Sequence, residues 1–199
     1  MSSSVIYSAD LTAGSLKLRE SRIIAGLLLV GADEKTFREA VVTANVLQTR
    51  TPATAVRLAR LIRGRLSGMD AVLWRMVSEG DKTLATQALL AATLKHSRLL
   101  RDFMDLGLRD EYRLLHTELE MALWTRFLIG CESRDPSVAR WSDSTRRRLR
   151  STVFQILAQA EILADTASRK LKKFMVLPEL RDYLAARGDL TVLNCLQMP

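Results

Sequence analysis

Arg57, Arg60 and Arg63 recur within the stretch RTPATAVRLARLIRGRL, which runs from Arg50 to Leu66. At the angular spacing of a helix they share one side, and Leu58, Ala59, Ile62 and Leu66 fall on the other. A helix of this kind buries one face and presents a row of guanidinium groups on the opposite one. Guanidinium is planar, permanently charged and a five-donor fork, so it suits phosphate contact and bidentate reading of guanine. No Asp or Glu lies between Glu39 and Asp70, so no nearby residue in sequence neutralises the row. The other reading of such a row is a solvated basic face, because clustered charge is only an electrostatic footprint.

A second stretch repeats the design. From Thr145 to Leu163, Leu149, Val153, Ile156, Leu157 and Ala160 line one side of a helix. Arg146, Arg147 and Arg148 open it, and Arg147, Arg148, Ser151 and Gln155 line the other side. A short helix and turn before a helix with Arg, Ser and Gln outward is the pattern of a groove-reading helix. Beyond it, Arg169, Lys170, Lys172 and Lys173 form a third basic cluster, either a two-stranded wing or a basic loop. The thirteen candidate contact residues are therefore Arg50, the three arginines after it, the 146–155 set and the 169–173 set.

Catalytic chemistry has no comparable signature. There is no Gly-rich phosphate loop and no dinucleotide fingerprint. His96 and His116 are the only histidines and neither stands in a Cys/His cluster, so no metal site, cofactor or catalytic residue is expected. The acidic pairs Asp102 with Asp105 and Glu118 with Glu120 sit among arginines on helices, not as the clustered carboxylates of a metal-dependent nuclease. An activity-free binding protein is the expectation.

Composition agrees with an anionic partner. The chain has 199 residues, 48% of them hydrophobic, with a net charge of +8. That charge points to nucleic acid or to a membrane surface without choosing between them. The longest apolar run, Ile23 to Val30, is eight residues. A membrane-spanning helix needs about 20, so none is expected. Two distant cysteines, Cys131 and Cys195, read as reduced thiols of a cytoplasmic protein.

The elements that position the basic rows are read as all helical, in three consecutive segments. Residues 1–68 begin with a loose arm containing Ser2, Ser3 and Ser4, with Val5, Ile6 and Tyr7 available to dock it. A helix from Leu16 to Val30 ends at Gly31, a second starts at Asp33 and runs to about Ala44, and the basic helix follows Thr51 as N-cap and Pro52 at the first position. That order is helix-turn-helix-like. Residues 69–134 read as a central bundle with helices at 70–78, 82–96, 98–106 and 110–129. In the last, Leu115, Leu119, Leu123 and Phe127 recur every fourth residue as a buried stripe. Trp74 and Trp124 belong to the core on this reading, not to a base-stacking platform. Residues 135–199 read as a winged-helix-like unit with the basic helix, the possible wing at 164–176, a short helix at 179–187 and an apolar tail at 190–196 that docks or forms a strand.

Taken together, Leu18-Arg19-Glu20-Ser21-Arg22, Asn45-Val46-Leu47-Gln48, Arg65-Leu66, Arg134-Asp135-Pro136, Trp141-Ser142 with Thr145, and Pro178-Glu179-Leu180 resemble the BrxA family of the BREX bacteriophage-exclusion systems over nearly the whole chain. The resemblance implies a cytosolic, mostly helical protein that binds double-stranded DNA in phage defence alongside other BREX proteins, with no catalytic residue to carry over. The family is also likened to the helical RNA-binding fold of NusB. A scaffold with basic faces for acidic protein partners, and an RNA-binding helical module, are the competing expectations. Salt dependence separates a phosphate-binding protein from an apolar interface.

Overall fold

The computed structural model describes residues 6–198. The serine arm Ser2, Ser3 and Ser4, and the docking residue Val5, lie outside the described residues. The chain is all-α, and no strand occurs among the described residues. Two compact units are present, one formed by residues 16–96 with 177–183 and the other by residues up to 15 with 97–176 and 184 onward. The three consecutive segments expected from the sequence cut across these units.

In the first unit, α1 (Leu18–Leu29) stops at Gly31, whose φ of 64° is the left-handed conformation that glycine adopts without a steric cost. Next, α2 (Glu34–Arg38) is capped by Asp33, whose carboxylate accepts the Thr36 N–H at 2.8 Å. It continues as a π turn, Glu39–Thr43. Asn45 then folds the link, accepting from the Thr49 N–H at 3.0 Å and donating to its carbonyl at 2.9 Å. The basic helix α3 (Pro52–Leu66) starts on Thr51 as expected, with the Thr51 hydroxyl accepting the Thr54 N–H at 3.2 Å. Its back is Ala55, Ala59, Ile62 and Leu66, all buried. Next, α4 (Ala71–Glu79) is capped by Asp70, and α5 (Lys82–His96) is buried continuously from Ala85 to Leu94. Ala88, Ala91 and Ala92 allow α5 to be enclosed on every side, as small side chains permit close helix approach.

Arg22 of α1 donates to the carbonyls of Ser78 at 3.3 Å and Gly80 at 2.6 Å, satisfying orphan acceptors at the end of α4. A Cβ at Gly80 would collide with the Met76 carbonyl oxygen and press on Leu84. Gly80→Ala is expected to destabilise the protein by about 1–3 kcal/mol through overpacking. Urea denaturation measures it; an unchanged midpoint would show that the turn relaxes freely.

In the second unit, α6 (Arg98–Phe103) runs through a π turn, Met104–Leu108, into α7 (Arg109–Arg113). Then come α8 (Met121–Arg134), a 3-10 turn Pro136–Arg140, and α9 (Asp143–Gln159) capped by Ser142. After α10 (Pro178–Ala186), which begins in the first unit, α11 (Leu190–Leu196) closes the described chain. Phe103, Trp124 and Phe127 form the aromatic centre, with ring centroids 5.2–5.7 Å apart in edge and tilted contacts. Trp124 is thus a core residue. Trp74 is half-buried, and its indole N–H donates to the Leu66 carbonyl at 2.9 Å.

One expectation is corrected, and two open alternatives are decided. The helix read over 110–129 is two helices, with α7 ending at Arg113 and α8 starting at Met121. Leu115 adopts a left-handed φ of 56° and is 85% exposed, so the stripe begins at Leu119. The intervening backbone finds its hydrogen bonds elsewhere: the Leu119 N–H donates to the Arg169 carbonyl at 2.9 Å, and Leu171 donates to Thr117 at 2.8 Å. The wing is likewise absent. Residues 164–176 are a loop with two isolated bridges, Glu118 to Lys170 and Leu163 to Leu171. Its centre is clasped by 117–119 on one side and 162–164 on the other, so no hairpin partner is needed. The tail 190–196 is a helix, burying Val192, Leu193, Cys195 and Leu196 at helical spacing.

Candidate nucleic-acid interface

On α3 the capped start and apolar back fix which residues face solvent. Arg57 and Arg60 are exposed, as is Arg50 just before the helix, and among the described residues none of the three has an acidic partner. Arg63 differs. Its guanidinium lies 2.7 Å from the Glu34 carboxylate and 4.8 Å over the Phe37 ring. The row is therefore partly neutralised through space by a residue on α2. A search along the neighbouring sequence misses this pair, because no helical spacing connects positions 34 and 63. Arg65 points the other way and is buried.

On α9 the buried back is Leu149, Val153, Ile156 and Leu157, joined by Thr152 and Phe154. Arg147, Arg148, Ser151 and Gln155 are all exposed. They lie on one helix within one unit, and among the described residues neither arginine has an acidic partner. Arg146 is committed inward. It pairs with Glu132 at 2.6 Å and donates to the carbonyls of Trp141 and Val138, each at 3.1 Å. It ties α9 to the preceding 3-10 turn and to α8. Arg169 is also structural, donating to the Leu119 carbonyl at 3.0 Å from a residue with φ of 53°. Lys170, Lys172 and Lys173 are exposed on the same loop, with Lys172 3.5 Å from Glu161. Of the thirteen candidates, Arg146 and Arg169 are therefore held within the fold, while Arg63 and Lys172 keep exposed ion pairs with Glu34 and Glu161.

Several residues that carry the sequence resemblance hold the scaffold. Asp135 accepts the Tyr7 N–H at 2.8 Å and the Ser137 N–H at 2.9 Å. The Tyr7 hydroxyl donates to Asp102 at 2.7 Å and accepts from Arg134 at 2.8 Å. The bond from the Tyr7 backbone, then those from Ser137, hold the Asp135 carboxyl below its ordinary range. Burial pushes the Tyr7 phenol well up. Because the folded carboxyl is the stronger acid, Asp135 adds stability above its unfolded pKa of about 3.9, and that contribution is lost as pH falls through the lower folded value. Asp135→Asn is expected to lower stability at pH 7 and to flatten the acid limb of the stability curve below about pH 4. Chemical denaturation at several pH values checks both; a parallel acid limb would contradict the assignment.

Both cysteines are buried. Burial raises the Cys131 thiol and pushes Cys195 up to about 11, so both are protonated thiols near neutrality. No group of three or more His, Cys, Asp or Glu is placed to hold a metal ion among the described residues, and no helix there is long and apolar enough to cross a membrane.

The family profile described as BrxA matches residues 5–188. The chain is 43% identical over 192 residues to "BREX protein BrxA" of Paramagnetospirillum magneticum, covering 96% of each chain. It is 33% identical to the protein of the same name from Escherichia coli O9:H4, covering 96% of this chain and 90% of that one. A crystal structure of an uncharacterized protein from Magnetospirillum magneticum superposes with a TM-score of 0.89 at 41% identity, over 97% of this chain and 99% of the other. The chain belongs to the BrxA family.

Proposed function

We propose that this protein is a non-catalytic, cytoplasmic accessory of a BREX phage-defence system that binds double-stranded DNA, mainly by phosphate contacts. The observation that carries the reading is the exposure of Arg57 and Arg60 on α3, and of Arg147 and Arg148 on α9, on helices whose opposite faces are anchored in the core. An anchored helix presents its guanidinium groups at a fixed spacing, which lowers the entropic cost of meeting a regular phosphate lattice. Arg50, Lys170, Lys172 and Lys173 add charge around these rows. Arginine outnumbers Asn and Gln on both faces, so backbone contact dominates over reading of adenine. The net charge of +8 favours an anionic partner, and the name shared by the relatives supports the place in a BREX system.

Fluorescence anisotropy of a labelled DNA duplex, with unlabelled duplex RNA of the same sequence as competitor, tests it. Binding to DNA that RNA displaces only at large excess is expected. Equal displacement by both would favour an RNA-binding or shape-blind electrostatic module instead.

A further inference from the structure

A groove of about 690 Å³ runs between α2, with its π turn, and α3. Its floor is apolar. Phe37, Val41 and Val42 form one wall and Val56 the other, and Val56 is 41% exposed. Val41 and Val42, successive residues of the π turn, both line the groove. The lining on α3 extends from Pro52 to Ser67, which is the whole helix and about 22 Å at 1.5 Å per residue. Arg38 and Arg60 stand on the rim, exposed and without an acidic partner among the described residues, while Arg63, over Phe37, and its partner Glu34 neutralise each other at the same groove.

We propose that this groove docks an acidic amphipathic α-helix of a partner protein. The length favours an elongated occupant of three to four helical turns over a compact small molecule. The apolar floor needs an apolar stripe at i, i+3, i+4 and i+7, which a phosphate backbone lacks. The arginine rim selects Asp or Glu beside that stripe. Arg57 does not line the groove, whereas Arg60 and Arg63 of the same row do, so the two surfaces overlap at those two residues.

The test uses the full chain and a fluorescein-labelled peptide of about 16 residues, with Leu in the stripe and Glu flanking it. Two controls have Lys in place of Glu, or the same residues scrambled to break the stripe. The acidic amphipathic peptide is expected to bind at least about tenfold more tightly than either control. Val56→Asp, at a partly exposed helix position, is expected to weaken it about tenfold. Arg38→Glu/Arg60→Glu is expected to reverse the preference toward the Lys peptide, with circular dichroism confirming the fold. The proposal is overturned by no binding of the acidic peptide to folded protein, by equal binding of the three peptides, or by binding indifferent to Val56→Asp. It is equally overturned if the wild type is a dimer in sedimentation that Val56→Asp converts to monomer, since a second copy would then fill the groove.

Discussion

The Arg147→Ala/Arg148→Ala protein is expected to fold normally and bind duplex DNA about twenty-five-fold more weakly at about 0.15 M salt, taking about fivefold per lost phosphate contact from counterion release. Its plot of log affinity against log salt is expected to be shallower by about 2. Both side chains are exposed on α9 and neither has an acidic partner among the described residues, so their removal breaks no internal ion pair. Arg63→Ala provides the contrast. That guanidinium is already paired with Glu34 at 2.7 Å, so its loss should change the salt slope by well under 1. Arg146→Ala is expected to act on stability instead, because it cuts the pair with Glu132 and strands carbonyls of the 3-10 turn. Titrations of the three variants on one duplex distinguish these roles. Equal effects from Arg63 and from the Arg147/Arg148 pair would mean that net charge, not position, governs binding.

The largest stability effect is expected at the aromatic centre. Phe103 is fully buried and meets Trp124 and Phe127 at centroid distances of 5.3 and 5.2 Å. Phe103→Ala removes the transfer free energy of the ring and leaves a cavity bounded by two rigid rings that cannot collapse into it. The expected loss is about 3–5 kcal/mol, a large share of a typical stability of about 5–15 kcal/mol. Leu115→Ala is the matched control. Placed in one apolar stripe with Phe127 by the sequence, it is 85% exposed, so its replacement is expected to change stability by less than about 0.5 kcal/mol. Urea melts of both proteins check the pair, and comparable losses would mean that Leu115 is packed in solution.

That pair also shows which kind of information the sequence carried. Local signals were legible. Thr51 with Pro52, Asp33, Asp70 and Ser142 start helices through their own side chains, and Gly31 stops one through its own backbone. The apolar backs of α3 and α9 follow from period alone, and with them the exposure of Arg57, Arg60, Arg147 and Arg148. The break before α8 was not legible, because the hydrogen bonds that stabilise it come from residues 169–171, about fifty positions away. Neither was the commitment of Arg63 and Arg169, whose partners lie on other elements. Arg146 looked like its two neighbours in sequence. One helical step of about 100° turns it from the solvent face toward Glu132.

The groove and the basic rows place different demands on α3. The proposed phosphate contact would use Arg57 and Arg60 on its outer side, whereas the proposed groove would use Val56 and Arg60 on the side facing α2.

The most direct measurement compares the wild type with a protein carrying Arg57→Ala, Arg60→Ala, Arg147→Ala and Arg148→Ala, each titrated on the same duplex at several salt concentrations. If these four side chains contact phosphates, the salt slope of the folded variant is shallower by about 4 and its affinity is correspondingly lower, with similar loss on unrelated sequences. An unchanged slope and affinity in that variant would contradict the account and move any DNA contact away from α3 and α9.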